Sequence, residues 1–292
     1  MDTSEAFKII VAKAAGGELT FPTSARVALR VKETLDDPDC QAEAAVRLIQ
    51  AEPLLSARVV ALANSVAFNT SGREITDVRI AVARLGFKAV RTLAVAVVTR
   101  QLAGTSGDPA YQGLATQLWE HTAHVAALAH VIARRVTGQD PETAMFAGIV
   151  HEIGGFYLLS RAKELPGMMD GELTGWVQDD DAEAEGESES KGGGEREIGR
   201  AVLKALSVPQ PVVDGIEALW KGYLALPPTT LGDTLLLADQ LTPVKSPLRE
   251  PLFRNREDMA ANIDMIIGQE TLAGILKESA EQVESLTRAL RF

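Results

Sequence analysis

Apolar residues recur along most of this chain at steps of three and four, the spacing of one buried face of an α-helix. The clearest stripe is Leu114, Leu118, His121, Val125, Leu128 and Ile132, which predicts a helix from about Tyr111 to Val136 with His121 on its core face. Val82, Leu85, Ala89, Leu93 and Val97 predict another, beginning near Asp77. Gly86 sits inside it, where glycine costs roughly 1 kcal/mol relative to alanine, and close packing against a neighbouring helix would account for it. Leu55, Val59 and Leu62 follow Glu52-Pro53, with the proline in the first turn, where no hydrogen bond is lost. Shorter helices are predicted over 5–15, from a cap at Thr23 or Ser24 to Asp36-Asp37-Pro38, and from Asp39 to about Gln50. The loop Gly104–Pro109 is the expected boundary between two helical subdomains.

In the second half, Asp140-Pro141-Glu142 opens a helix on which Ala144, Ala147, Gly148, His151 and Gly155 share a face of small residues. That face admits a close neighbour, with His151 pointing at it. Helical pattern resumes from Glu195 to Leu206, from Val208-Pro209 to Leu219, and after Pro227-Pro228 through Leu231, Leu235 and Asp239. Further helices are expected near Asp258–Ile267 and over Thr271–Leu290. Leu276, Val283 and Leu290 lie seven apart in the last, too few heptads for a dimer seam and more in keeping with a packed terminal helix. No alternating pattern of any length occurs, so the fold class is all-α. The expected organisation is an N-terminal helical subdomain over 1–105, a second over 106–255, and C-terminal helices over 256–292.

Composition agrees. Hydrophobic residues make up 46% of the chain and aromatics only 5%, with a mean hydropathy of +0.03, which suits packed helices better than a β-sandwich. The net charge of −11 is uneven: Asp179–Glu189 carries seven acidic groups and no basic one, and subtracting these leaves −4. Residues 175–194 therefore read as a solvated, mobile insertion, protease-sensitive and able to dock a basic partner. No Lys-Ser/Thr follows Gly192-Gly193-Gly194, which excludes a phosphate loop. No basic stripe exists to neutralise phosphates, so neither nucleic acid nor membrane is an expected partner. One cysteine, Cys40, excludes an intrachain disulfide, and the start lacks the basic and apolar regions of a signal peptide. A cytoplasmic protein is expected.

The candidate chemistry centres on His151-Glu152-Ile153-Gly154. A histidine beside a carboxylate in an apolar segment is costly to bury without partners, and is a pattern used to hold a cation. Several stretches together resemble one family, the HDOD domains, signalling relatives of the HD metal-dependent phosphohydrolases. They are Glu52-Pro-Leu-Leu-Ser-Ala-Arg58 through Ala63-Asn64-Ser65-Val-Ala-Phe68, then Ala81–Arg91 with Leu85-Gly86, then Trp119-Glu-His121-Thr-Ala-His124, and Gly148-Ile-Val-His151-Glu152-Ile-Gly154. The likeness covers roughly residues 18 to 240. Glu52 stands where the family pattern usually has Asp. The resemblance implies an N-terminal helical bundle packed on an HD-like helical half, and a signalling or scaffolding role.

An HD hydrolase needs several His and Asp ligands converging on one or two cations. The resemblance places His121 at the first histidine, His151 at the central one with Glu152 in place of aspartate, and Asp239 at the last aspartate. Arg196 stands where a histidine is usual, and Trp220-Lys221 where a His-His pair is. His124, one turn from His121, can assist it, while His130 lies off the stripe and reads as a surface residue. His121, His124, His151, Glu152, Arg196 and Asp239 thus form the expected vestigial pocket, with no catalytic, cofactor or metal set. The expected function is a non-catalytic module binding protein partners or another copy of itself. The alternatives are a phosphohydrolase with altered ligands, a single structural cation, and a cyclic-dinucleotide or small-ligand sensor, for which no Arg-rich anion motif is evident.

Overall fold

A computed structural model describes residues 3–19, 21–22, 25–103, 109–162, 193–248 and 272–291. The acidic insertion up to residue 192, the Thr23–Ser24 cap, the 104–108 boundary and the helix expected near Asp258–Ile267 lie outside them, while Gly193 and Gly194, expected in the insertion, open a helix. The described residues form helices α1 (Thr3–Ala15), α2 (Arg26–Asp36), α3 (Ala42–Gln50), α4 (Pro53–Ala63), α5 (Val78–Ala103), α6 (Pro109–Ile132), α7 (Pro141–Val150), α8 (Ile153–Ser160), α9 (Gly193–Ala205), α10 (Gln210–Lys221), α11 (Leu231–Leu241), α12 (Leu272–Glu278) and α13 (Ala280–Leu290). There is no strand among them, so the fold is all-α. None of the described helices is long and apolar enough to cross a membrane.

Helix α5 is the spine. It packs against α2 and α4 of the first half and against α7 and α8 of the second. Arg91 fastens α2 to it, donating to the Leu35 carbonyl at 2.7 Å and pairing with Asp36 at 2.7 Å. The Asn64-Ser65 pair locks the end of α4. Asn64 donates to Val60 and Ile75 carbonyls and accepts from the Ile75 amide at 2.8 Å, while Ser65 donates to Leu62 at 2.7 Å. Glu52, despite its extra methylene, still caps α4, its carboxylate accepting from the Leu55 amide. Toward the second half, Lys88 on α5 pairs with Asp140, the residue that caps α7 through the Thr143 amide.

Gly86 has a different reason from the one its sequence context suggests. Nothing lies within 4 Å of where its Cβ would be. Its backbone instead adopts φ 75, ψ 167, a region essentially closed to side-chain-bearing residues, and breaks α5 there. Gly148 does answer to close packing, since a Cβ on it would lie 2.6 Å from the Ala126 Cα on α6.

Three expected helices are each interrupted. The helix from Tyr111 ends in a π-turn, Ala133–Thr137, which Gly138 stops in the left-handed conformation. The helix from Pro141 stops at Val150, and Glu152 (φ −110, ψ 26) leads into α8. The terminal helix breaks at Ser279 into α12 and α13. Helix α13 packs on both α6 and α4. Its last carbonyl groups are met by the body of the protein, Trp119 Nε1 donating to Leu290 at 3.1 Å and Arg58 to Ala289 at 3.5 Å. At its other end Gln282 reaches His130 at 3.4 Å. His130 is therefore a buried residue, 5% exposed, and not a surface one. On a straight helix it falls off the stripe, but α13 and the Phe68 ring cover that side of α6.

Two outcomes follow from these placements. Gly86→Ala, which adds strain without a clash, is expected to lower the unfolding free energy by about 1–3 kcal/mol in urea titrations, with the α-helical signal retained. His130 is held down to a pKa of about 4, first by burial and then by the Arg134 charge, with Asp140 opposing. Above pH 6.5 it is neutral folded and unfolded. Between pH 6.5 and 4 only the unfolded chain takes the proton, so stability falls as pH falls. The stability difference between wild type and His130→Gln should shrink by about 3 kcal/mol across that window.

Candidate functional site

The interruption between α7 and α8 makes the site. It frees the His151 ring from a continuing helix, so that Nδ1 bonds back to the Gly148 carbonyl at 2.7 Å. Helix α6 brings His121, and its Nδ1 bonds to the Val244 carbonyl at 2.8 Å, in the loop after α11. A carbonyl can only accept, so each Nδ1 carries a hydrogen and each Nε2 is turned to the shared interior. There the two Nε2 atoms stand 3.3 Å apart. Asp239 Oδ1, from α11, lies 3.2 Å from His121 Nε2, and Glu152 Oε2 lies 3.8 Å from it. The other Glu152 oxygen accepts from Ser246 Oγ at 2.8 Å. His121, His151 and Glu152 are each 1% exposed.

A hydrogen bond between two Nε2 atoms requires a proton on one of them. Burial alone would drive it off, but Glu152 and the hydrogen-bonded Asp239 outweigh burial at His121 and raise its pKa to about 9. At His151 burial wins: its pKa is lowered, with Glu152 opposing and the charge of His121 adding to the effect. Charged His121 thus donates into a nest of neutral His151 and two carboxylates.

The sequence-derived residues divide. His121, His151, Glu152 and Asp239 are brought together. His124 is not among the converging donors; its Nδ1 bonds to the Glu120 carbonyl of its own helix at 2.8 Å, and its ring lines a separate cleft. Arg196 reaches the Trp220 carbonyl at 2.8 Å, at the end of α10. Lys221 is exposed to solvent, and the Trp220 ring is buried against Gly199 with Arg200 over its face. Two members were not legible in sequence, Val244 and Ser246. Their loop carries no periodicity, and the only signal is its place just after Asp239.

One donor atom from each of His121, His151 and Asp239 lies within 4.8 Å of the other two. Imidazoles whose Nδ1–H groups rest on backbone carbonyls are oriented as metal ligands are. The set therefore fits one cation of the kind that takes imidazole and carboxylate, which would supply the positive charge now carried by the His121 proton. It does not fit a two-cation hydrolytic centre, for which Arg196, Trp220 and Lys221 offer no ligand.

Replacing His121 by leucine would leave Glu152 and Asp239 facing each other without a countercharge. A loss of about 3–5 kcal/mol is expected in urea unfolding at neutral pH. Adding Asp239→Asn to that variant should recover part of it.

The family model for the HDOD domain matches residues 21–221. No curated protein matches the chain. Among solved structures, a Shewanella amazonensis SB2B protein named "Putative metal-dependent phosphohydrolase" is 21% identical, with 99% of each chain covered and a TM-score of 0.68. An HDOD domain protein with unknown function from Geobacter sulfurreducens is also 21% identical, covering 99% of this chain and 98% of that one, with a TM-score of 0.61. A Marinobacter aquaeolei VT8 protein named "Putative signal transduction protein" is 19% identical, covering 99% of this chain but 64% of its own, with a TM-score of 0.51. These likenesses establish a shared all-α fold, and with the family match over most of its length, this chain belongs to the HDOD family.

Proposed function

We propose that this chain is a non-catalytic signalling module that acts by binding protein partners or a second copy of itself, and that its His–carboxylate cluster is a structural pin. The observation that carries this reading is burial. Three of the four donors are 1% exposed, and a proton on His121 Nε2 takes up the lone pair that a cation would need. Hydrolysis of a phosphodiester needs an open coordination position and room for the phosphate beside it. Glu152 in place of aspartate, and the absence of ligands at Arg196, Trp220 and Lys221, point the same way. Family membership and the signalling name of the Marinobacter neighbour favour a signalling role over a metabolic one.

The orientation of both imidazoles favours a second reading, one structural cation in place of the shared proton. It leaves the module non-catalytic. The two readings separate on metal content and on the effect of a chelator on the thermal midpoint.

The deciding experiment uses purified full-length protein with Mn²⁺ or Fe²⁺ supplied, assayed on bis(p-nitrophenyl) phosphate and on cyclic dinucleotides. No turnover above blank is expected. Turnover at enzymatic rates that disappears in His151→Ala would overturn the proposal.

A further inference from the structure

A cleft of about 360 Å³ opens between α6, the end of α11 and the two C-terminal helices. Leu128, Leu241, Pro243, Leu276 and Val283 supply its apolar walls. Its polar groups are His124, Glu284, Arg288 and Arg291, with the Thr287 hydroxyl, which is buried and has no hydrogen-bond partner. The volume falls in the range of small-molecule sites, roughly 300–1,000 Å³. With Nδ1 of His124 committed to its own helix, Nε2 is that ring's remaining polar atom. Arg288 pairs with Glu284 at 2.5 Å, and no carboxylate among the described residues pairs with Arg291 on the rim.

We infer that this cleft binds a small carboxylate with an apolar body, and that the loop behind it reports the occupancy to the His–carboxylate cluster. The walls ask for hydrocarbon, and the guanidinium groups match a carboxylate in shape and charge. Among the described residues no Phe, Tyr or Trp lines the cleft, so these offer a nucleobase little to stack on. Leu241 and Pro243 of the wall continue directly into Val244, whose carbonyl holds His121, and Ser246, whose hydroxyl holds Glu152. Leu248, at the end of the same loop, packs against Gly155 of α8. A ligand that shifts Pro243 therefore moves the hydrogen-bond partners of both groups. The inference goes beyond the non-catalytic reading and does not depend on it, because it rests on the cleft and the loop.

Sodium octanoate, octylamine and cyclic di-GMP titrated calorimetrically into the full chain test it. Octanoate is expected to bind at one site, with octylamine and cyclic di-GMP at least about tenfold weaker. Ala280→Trp, which fills the cleft from an exposed rim position, should weaken octanoate by about tenfold or more, and so should Arg288→Gln combined with Arg291→Gln. In two-dimensional amide spectra, octanoate should move Val244 and Ser246 in wild type and leave them in place in Ala280→Trp. The inference is overturned by no octanoate binding at millimolar concentration, by equal binding of octylamine, by preference for cyclic di-GMP, or by affinity unchanged in both variants. Val244 and Ser246 amides that stay fixed on binding would remove the coupling. Should Ala280→Trp fail to fold, the arginine variant carries the same decision.

Discussion

Two buried imidazoles, His121 and His151, meet two carboxylates at the centre of the second half of this molecule, in a place water barely reaches. Glu152 and Asp239 outweigh burial there and favour the charged form of His121. Four elements meet there, each contributing one or two groups: α6 gives His121, the α7–α8 break gives His151 and Glu152, α11 gives Asp239, and the loop beyond it gives Val244 and Ser246. Burying two carboxylates is costly, and the charged ring together with the Ser246 hydroxyl offsets that cost. The arrangement favours a defined geometry more than it favours stability, since a well-packed apolar substitute would be at least as stable.

Much of this was legible in the residues. The 4-3-4-3-4 stripe placed His121 on the buried face of α6, and the small-residue face around Gly148 anticipated its contact with Ala126. The all-α class followed from periodicity alone. Other features were hidden for physical reasons. A helix break such as that at Glu152 leaves no mark when both flanking segments are uniformly apolar. His130 falls off its own helix's stripe, and its burial depends on α13, which returns from far along the chain. Gly86 shows the limit most plainly: a glycine kept for space and a glycine kept for its backbone angle look the same in a sequence, and only φ distinguishes them. His124 was placed by its one-turn spacing from His121 and Arg196 by likeness to a ligand pattern, but side-chain direction, set by local hydrogen bonds, took each elsewhere.

The break at Gly86 also shapes how the halves relate. It divides α5 into two helical segments that meet at a kink. Lys88, just beyond the break, reaches Asp140, which in turn starts α7 and so orients the segment ending in His151.

Helix α13 lies beyond residue 221, where the match to the family model stops, yet it rests on α4 and α6 together. Its terminal carbonyls are received by Trp119 and Arg58, one from each half, and its Ser285 receives the amide of Val66 just after the Asn64-Ser65 lock. The recognisable family segment is therefore smaller than the cooperative body. A boundary drawn where the family pattern fades would cut through the core, uncover the Trp119 side of α6, and leave two halves without the helix that seams them.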